Sequence, residues 1–210
     1  MIPSERMFHK GAPPTGGHRA RKKERTRHAI EDAAIELFSE RGYDATTIDD
    51  IAERAQIAPS TFFRYFPSKA DVILGDQNER LPALQRAIID RPASDSAIDA
   101  LRAALQEQWV AAIDPDRTVR ITQVIASSPV LSGHASAVGH GWQIAASQAL
   151  ARRKGLDDAD QKCWMAATVA LSTFGEAVKT WIDDGCEGDL AAAVDRGFDT
   201  LLALCVEWTS

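Results

Sequence analysis

Apolar residues recur at helical spacing along this chain, and no alternation of period two persists over a strand's length. The first clear stripe is Ile30, Ala33, Ala34, Leu37 and Phe38. It predicts a helix over 23–41, which Gly42 closes in the left-handed conformation. Thr46 or Thr47 can then cap a short helix whose first turn carries Asp49 and Asp50, both favourable at the positive end of the helix dipole. That helix turns Ile48, Ile51, Ala52 and Ala55 inward. A break at Gln56-Ile57-Ala58 precedes Pro59, which suits the first turn of a third helix, 59–66, stopped by Pro67. Ser68 caps a fourth that begins Lys69-Ala70-Asp71-Val72-Ile73.

Longer helices are expected over 82–90, 96–113, 117–127, 135–154, 159–184 and 190–208, with proline, Asp-Pro or glycine at most of the breaks. No segment repeats with a period of 20 to 50 residues, which argues against a solenoid. The expected fold class is all-α, a small N-terminal unit followed by a larger C-terminal one.

Composition changes this picture little. The chain is 45% apolar and 26% charged, ordinary for a globular protein. No apolar run nears the ~18 residues of a membrane span, and the first residues lack the apolar middle of a secretory signal. Cys163, Cys186 and Cys205 form no CxxC pair and leave an odd one over, which fits a reducing cytosol. A cytoplasmic protein with no membrane partner is expected.

Charge changes the picture more. The net charge is −6, yet residues 1–28 hold eight basic residues against Glu5 and Glu24, a local +6 that leaves −12 on the other 182. A basic arm that seeks a polyanion, ahead of an acidic body that does not, is the simplest reading. Two short helices separated by a tight turn have helix-turn-helix proportions, in which the first helix braces the second for entry into the major groove. Ser60, Thr61 and Arg64 supply the exposed polar side chains that the second helix needs.

The wording is more specific than the spacing. The stretch from Thr46 through Ile48-Asp49-Asp50-Ile51-Ala52 and Ala58-Pro59-Ser60-Thr61-Phe62-Phe63-Arg64-Tyr65-Phe66 to Lys69 resembles the DNA-binding domain of TetR-family transcriptional regulators. Ala33-Ala34-Ile35-Glu36-Leu37-Phe38 with Gly42-Tyr43 resembles that family's first helix. The resemblance covers roughly residues 23–75, about a quarter of the chain. It implies a helix-turn-helix DNA-binding domain over 21–80 with the motif at about 46–65 and a helical ligand-binding and dimerisation domain over 81–210, while the Gly-, Pro-, Thr- and His-rich composition of the first residues predicts a disordered basic arm over 1–20. It puts Thr46 and Thr47 at the start of the second helix and Thr47 on a phosphate. Ser60, Thr61, Phe63 and Arg64 fall on the recognition helix, and Tyr65 and Lys69 reach the backbone beyond. Arg21, Lys22, Lys23 and Arg25 join the set as phosphate contacts. Phe62 and Phe66 are expected in the core. Gln56 stands where the family usually has the turn glycine, and Ala58 where it has a serine cap.

A single helix-turn-helix covers one half-site, so a palindromic operator in double-stranded DNA calls for a homodimer. Trp164, Leu171, Phe174, Val178 and Trp181 form a narrow stripe on the penultimate helix. Val194, Leu201 and Trp208 do the same on the last. The resemblance implies a four-helix interface from these two helices of each subunit. The alternative, that each stripe faces its own subunit's core, holds at least in part. Aromatic-rich helices can also line a pocket for an apolar molecule. The candidates are Trp109 and Trp142, with Arg120, Gln123 and Gln143 as polar contacts. Ile73-Leu74-Gly75-Asp76 resembles a subgroup that includes mycofactocin-system regulators, which implies a hydrophobic or acyl-CoA-like effector. No catalytic constellation, metal-ligand spacing or cofactor loop is evident: His134 and His140 lack helical metal spacing, and Gly139-His140-Gly141 lacks a third glycine. An effector-released repressor is therefore expected, rather than an enzyme or a constitutive DNA binder.

Overall fold

Side-chain caps fix where most of the helices begin. Thr47, Ser68, Ser96, Asp114, Ser128 and Asp160 each sit in extended backbone just before a helix. Each accepts a hydrogen bond from a backbone N–H three residues on. Gly42, Gly155 and Gly185, all with φ between 71° and 87°, follow helix ends in the left-handed region. The computed structural model describes residues 16–75, 77–110 and 113–207. Among these the chain forms ten helices and no strand: α1 (Gly16–Arg41), α2 (Ile48–Arg54), α3 (Pro59–Phe62), α4 (Lys69–Leu74), α5 (Gln77–Ile89), α6 (Ala97–Trp109), α7 (Pro115–Ser127), α8 (Pro129–Arg153), α9 (Gln161–Asp183) and α10 (Leu190–Glu207). None of the described helices is long and apolar enough to cross a membrane.

Four boundaries differ from the sequence expectation. Helix α1 begins at Gly16 rather than near Lys23, so the last residues of the expected disordered arm are helical. Alanine, arginine and lysine after Gly17 are good helix formers; the rest of the arm lies outside the described residues. Helix α3 is one turn, not two. Beyond it Arg64 N–H donates to Thr61 O (3.1 Å) and Tyr65 N–H to Phe62 O (2.9 Å), the tighter i→i+3 pattern. Helix α5 starts five residues ahead of Pro82 and carries that proline on its exposed side. Helix α8 starts at Pro129 because Ser128 both ends α7 and caps α8, so no loop separates them.

Two apolar cores result. The first gathers Ile30, Ala34 and Phe38 of α1, Ile51 of α2, Phe62, Phe66, and Val72 and Ile73 of α4. It also takes in Val124 of α7 and Leu131 of α8, both nearly inaccessible. The second joins α5, α6, α8, α9 and α10 through Leu84, Ile88, Leu101, Leu105, Leu150, Ala167 and Phe198. Full burial of such a side chain contributes about 1.5–3 kcal/mol, so both cores are substantial. Helix α8 contributes to both, through Leu131 and Leu150, and α7 before it is fastened to α1 and the loop that follows: Arg117 donates to Glu31 (2.8 Å) and Asp32 (2.7 Å), and Ser128 Oγ donates to the Asp44 carboxylate (3.2 Å).

Candidate nucleic-acid interface and effector cavity

The turn between α2 and α3 is built from the backbone. Ile57 N–H donates to Ala52 O (2.9 Å) and Gln56 N–H to Glu53 O (3.0 Å), the paired bonds of a Schellman closure. That closure places Gln56 at φ 55°, a region glycine enters without cost. Ala58, the N-cap of α3, contributes no side-chain bond. Gln56→Gly should therefore raise stability by about 0.5–1 kcal/mol, left-handed strain removed less the entropy of a freer unfolded chain. Ala58→Ser should add up to about 1 kcal/mol. Urea unfolding reads both, and a less stable Gln56→Gly protein would mean that the turn carries no such strain.

Short α3 presents Ser60 to solvent, with Thr61 half-buried, and the tight turn after it presents Arg64. Phe63 is 58% exposed, an apolar ring braced edge-on against buried Phe62 (5.6 Å between centroids). The Arg64 guanidinium lies over the half-buried Tyr65 ring at 5.7 Å. Phe62 and Phe66 are buried, and Arg27 of α1 lies over Phe66 at 5.0 Å. Arg54 ties α2 to α1 through Glu36 (3.1 Å) and Glu40 (2.9 Å), and its hydrogen bond holds the Glu40 carboxyl below the usual range. Arg21, Lys22, Lys23 and Arg25 are exposed on the first half of α1. Three of them, Arg21, Lys22 and Arg25, border a groove of about 760 Å³ that ends on Ala55, Gln56 and Ile57.

Three candidates on this side have other employment. Thr46 is 1% exposed, and its hydroxyl donates to Gly42 O (2.8 Å), so it cannot touch DNA and leaves the candidate set. Thr47 is exposed, but its hydroxyl donates to Asp50 Oδ2 (2.5 Å) and accepts from Asp50 N–H in a capping box. Those bonds, with Arg41 beside them, hold the Asp50 carboxyl below its ordinary range. Lys69 does not extend into solvent. Its ammonium donates to Tyr43 O (2.6 Å) and Thr46 O (2.7 Å) and lies 4.1 Å from the Tyr43 ring centre, and burial lowers its pKa. It pins α4 to the α1–α2 loop, with one of its three donors left over.

In the body, a cavity of about 650 Å³ opens between α6, α8 and α9. Trp109 and Trp142 meet on its wall at 4.4 Å between ring centroids, and Phe174 stands 6.3 Å from Trp109. Gln143, Ser136, His140 and Ser172 supply its polar atoms, and among the described residues no Asp, Glu, Lys or Arg lines it. Trp109, Trp142 and Gln143 therefore lie together as expected from their central helices. Arg120 and Gln123 do not: both are exposed on α7, outside the cavity lining. Leu171 and Phe174, expected at a subunit seam, line this cavity instead. Their i, i+3 spacing on an aromatic-rich helix was compatible with either role.

Two of the other seam candidates turn inward. Trp181 (6% exposed) and Val194 (fully buried) belong to their own subunit's core, and Trp181 Nε1–H donates to Gly188 O (3.2 Å). Val178 packs partly against that core, Trp164 rests edge-on against His140, Leu201 borders a groove between α9 and α10, and Trp208 lies outside the described residues. On these two helices the large apolar side chains left in solvent, among the described residues, are Met165 and Val169 on α9 and Leu202, Leu204 and Val206 on α10. Among the described residues, no group of His, Cys, Asp and Glu could hold a metal ion.

Residues 30–74 match the family model described as bacterial regulatory proteins, tetR family, and residues 95–205 match that of the MftR C-terminal domain. A relative from Mycobacterium tuberculosis, MftR, assigned to regulation of mycofactocin biosynthesis, is 33% identical over 187 residues. The match covers 86% of this chain and 91% of the relative. Among solved structures, Thermus thermophilus FadR in complex with lauroyl-CoA superposes with a TM-score of 0.51 at 25% identity, covering 84% of this chain and 93% of that one. SmeT of Stenotrophomonas maltophilia, in complex with triclosan, has a TM-score of 0.59 at 22% identity, covering 85% and 90%.

Proposed function

This chain belongs to the TetR family of bacterial regulatory proteins, DNA-binding regulators rather than enzymes, and we propose that it is a cytoplasmic repressor that binds a palindromic operator as a homodimer and is released by a small, largely apolar effector. The observation that carries the reading is the uncharged aromatic cavity in a body packed directly onto the DNA-reading unit through α7. A cavity walled by Trp109, Trp142, Leu171 and Phe174 suits an acyl chain or a comparable apolar group. The acyl-CoA ligand of the FadR relative is of that chemistry.

The dimer face of this reading is the outer side of α9 with the last turns of α10. Met165 and Val169 stand two residues beyond buried Cys163 and Ala167, some 200° round the helix, and so face away from the core. Leu202, Leu204 and Val206, exposed around the last turns of α10, add apolar surface next to them for a four-helix seam. Selection from a random double-stranded DNA pool should recover a single inverted repeat. Retention of the pool without sequence preference would overturn the operator reading.

Arg64 is the base reader of this proposal. Arg64→Ala should weaken the operator complex by roughly 1–3 kcal/mol and relax preference at one position per half-site. Lys69→Ala should weaken all sequences about equally, because it frees the α1–α2 loop and removes at most one phosphate contact. Selection with each variant separates them, and the opposite pattern would reverse the two roles.

A further inference from the structure

Among the described residues, Phe63 is the one aromatic side chain more than half exposed. It lies within the helix-turn-helix, between exposed Ser60 and exposed Arg64. Its backbone stays helical (φ −64°, ψ −13°). Because the i→i+3 bonds take over at Thr61 and Phe62, Ser60 and Phe63 come to one side of the turn. The ring is not loose. It meets the Phe62 ring edge-on, with 5.6 Å between centroids and 82° between planes, and fully buried Phe62 in turn tilts against Phe66 at 5.9 Å. The core of the reading unit thus positions a ring whose larger part stands in water.

A phenyl ring has no N–H, O–H or carbonyl, so Phe63 can hold neither a phosphate oxygen nor the polar edge of a base. The major groove offers such a ring one apolar group, the C5-methyl of thymine. Cytosine carries only hydrogen at that carbon, the purines present polar atoms, and the minor groove presents donors and acceptors alone. Burial of the Phe63 ring in a DNA complex is therefore most favourable where a thymine methyl covers it. Arg64 suits guanine, and a G·C pair holds no thymine, so the two side chains address different base pairs.

We propose that Phe63 determines specificity at one position of each half-site by packing against the C5-methyl of a thymine. The recognised feature is the methyl, not a hydrogen bond of the base, so 5-methylcytosine, with a methyl at the same ring carbon, imitates thymine there. The inference rests on the operator reading above and adds to it a residue, a base and the group on that base that is read.

The test uses the full-length protein and the operator recovered by selection, at fixed salt. Each thymine is replaced in turn, symmetrically in both half-sites, by deoxyuridine, which removes the methyl and nothing else. At one symmetric pair the affinity should fall about fifteen-fold, from about four-fold per half-site for one methyl taken out of contact. Phe63→Ala should bind the thymine and uracil operators equally, whereas Arg64→Ala should leave the gap open. Phe63→Gln should also close it, since an amide meets O4 of thymine and uracil alike, and it serves if the alanine variant does not fold. With a C·G pair at that position, 5-methylation of the cytosine should tighten binding several-fold in the unaltered chain and leave Phe63→Ala unchanged. A ring that only braces Phe62 gives a different pattern: Phe63→Ala would weaken both operators alike and keep the gap between them. That pattern, or an operator in which no thymine is sensitive to loss of its methyl, overturns the proposal while the operator reading stands. Failure of the selection to recover any operator would overturn both.

Discussion

Replacing Arg21, Lys22, Lys23 and Arg25 together by alanine should flatten the plot of log operator affinity against log salt by up to about 3.6 units, at about 0.9 per phosphate contact. Between 50 and 200 mM salt that amounts to roughly 150-fold less loss of affinity in the variant than in the parent. All four side chains are exposed on the first half of α1, and three line the groove that leads to the α2–α3 turn. The helix that carries them is continuous with the segment that packs under α2 and α3, so their charges keep a fixed distance from the reading surface. Because alanine is a strong helix former, the variant should keep α1 intact. Preference among operator sequences should change little, since phosphate contacts carry no base information. Salt titration of the parent and the quadruple variant on one operator checks this, and an unchanged slope would remove the basic segment from the interface.

What could be read before the fold was known, and what could not, follows the range of the interactions. Helix caps and left-handed glycines act over three or four residues, so Thr47, Ser68, Ser96 and Gly42 were legible, and so was the cost at Gln56. The length of α3 was not, because the choice between i→i+4 and i→i+3 bonds beyond Phe62 depends on how Phe62 and Phe66 seat in a core built by α1 and α4. On α9 the periodicity failed for a different reason. Apolar residues occur on more than one face, from Trp164 and Met165 to Val169 and Leu171, so spacing alone could not say which stripe the subunit keeps for itself. The helices of the body that carry Trp109 and Trp142 were placed well enough to bring those rings together, whereas Arg120 and Gln123 sit on a helix that faces the reader instead. Arg117 had no local signal at all, its partners being more than eighty residues away in sequence.

An effector that fills the aromatic cavity should lose affinity for the protein by a large and calculable factor once operator DNA is bound. To move the population from 1:99 to 99:1 in favour of the released form, it must prefer that form by about 5.5 kcal/mol. Roughly 200 Å² of differential apolar burial supplies most of this at ~25 cal/mol per Å², within the reach of a cavity of about 650 Å³ walled by two tryptophans and a phenylalanine. The structure offers two routes from that cavity to the reader: α4, the covalent link, and α7, whose Val124 and Arg117 pack and pair with the reading unit. Whichever moves, linkage requires that operator weaken effector binding by the same factor as effector weakens operator binding. Titrating apolar metabolites against the free protein and against its operator complex measures both factors. Trp109→Ala and Trp142→Ala should lower effector affinity in the released form and leave operator affinity without effector unchanged, because neither ring belongs to the core that carries the reading helices. An effector bound equally well with and without operator would exclude this switch, and the protein would then be a DNA binder whose cavity has no part in its release.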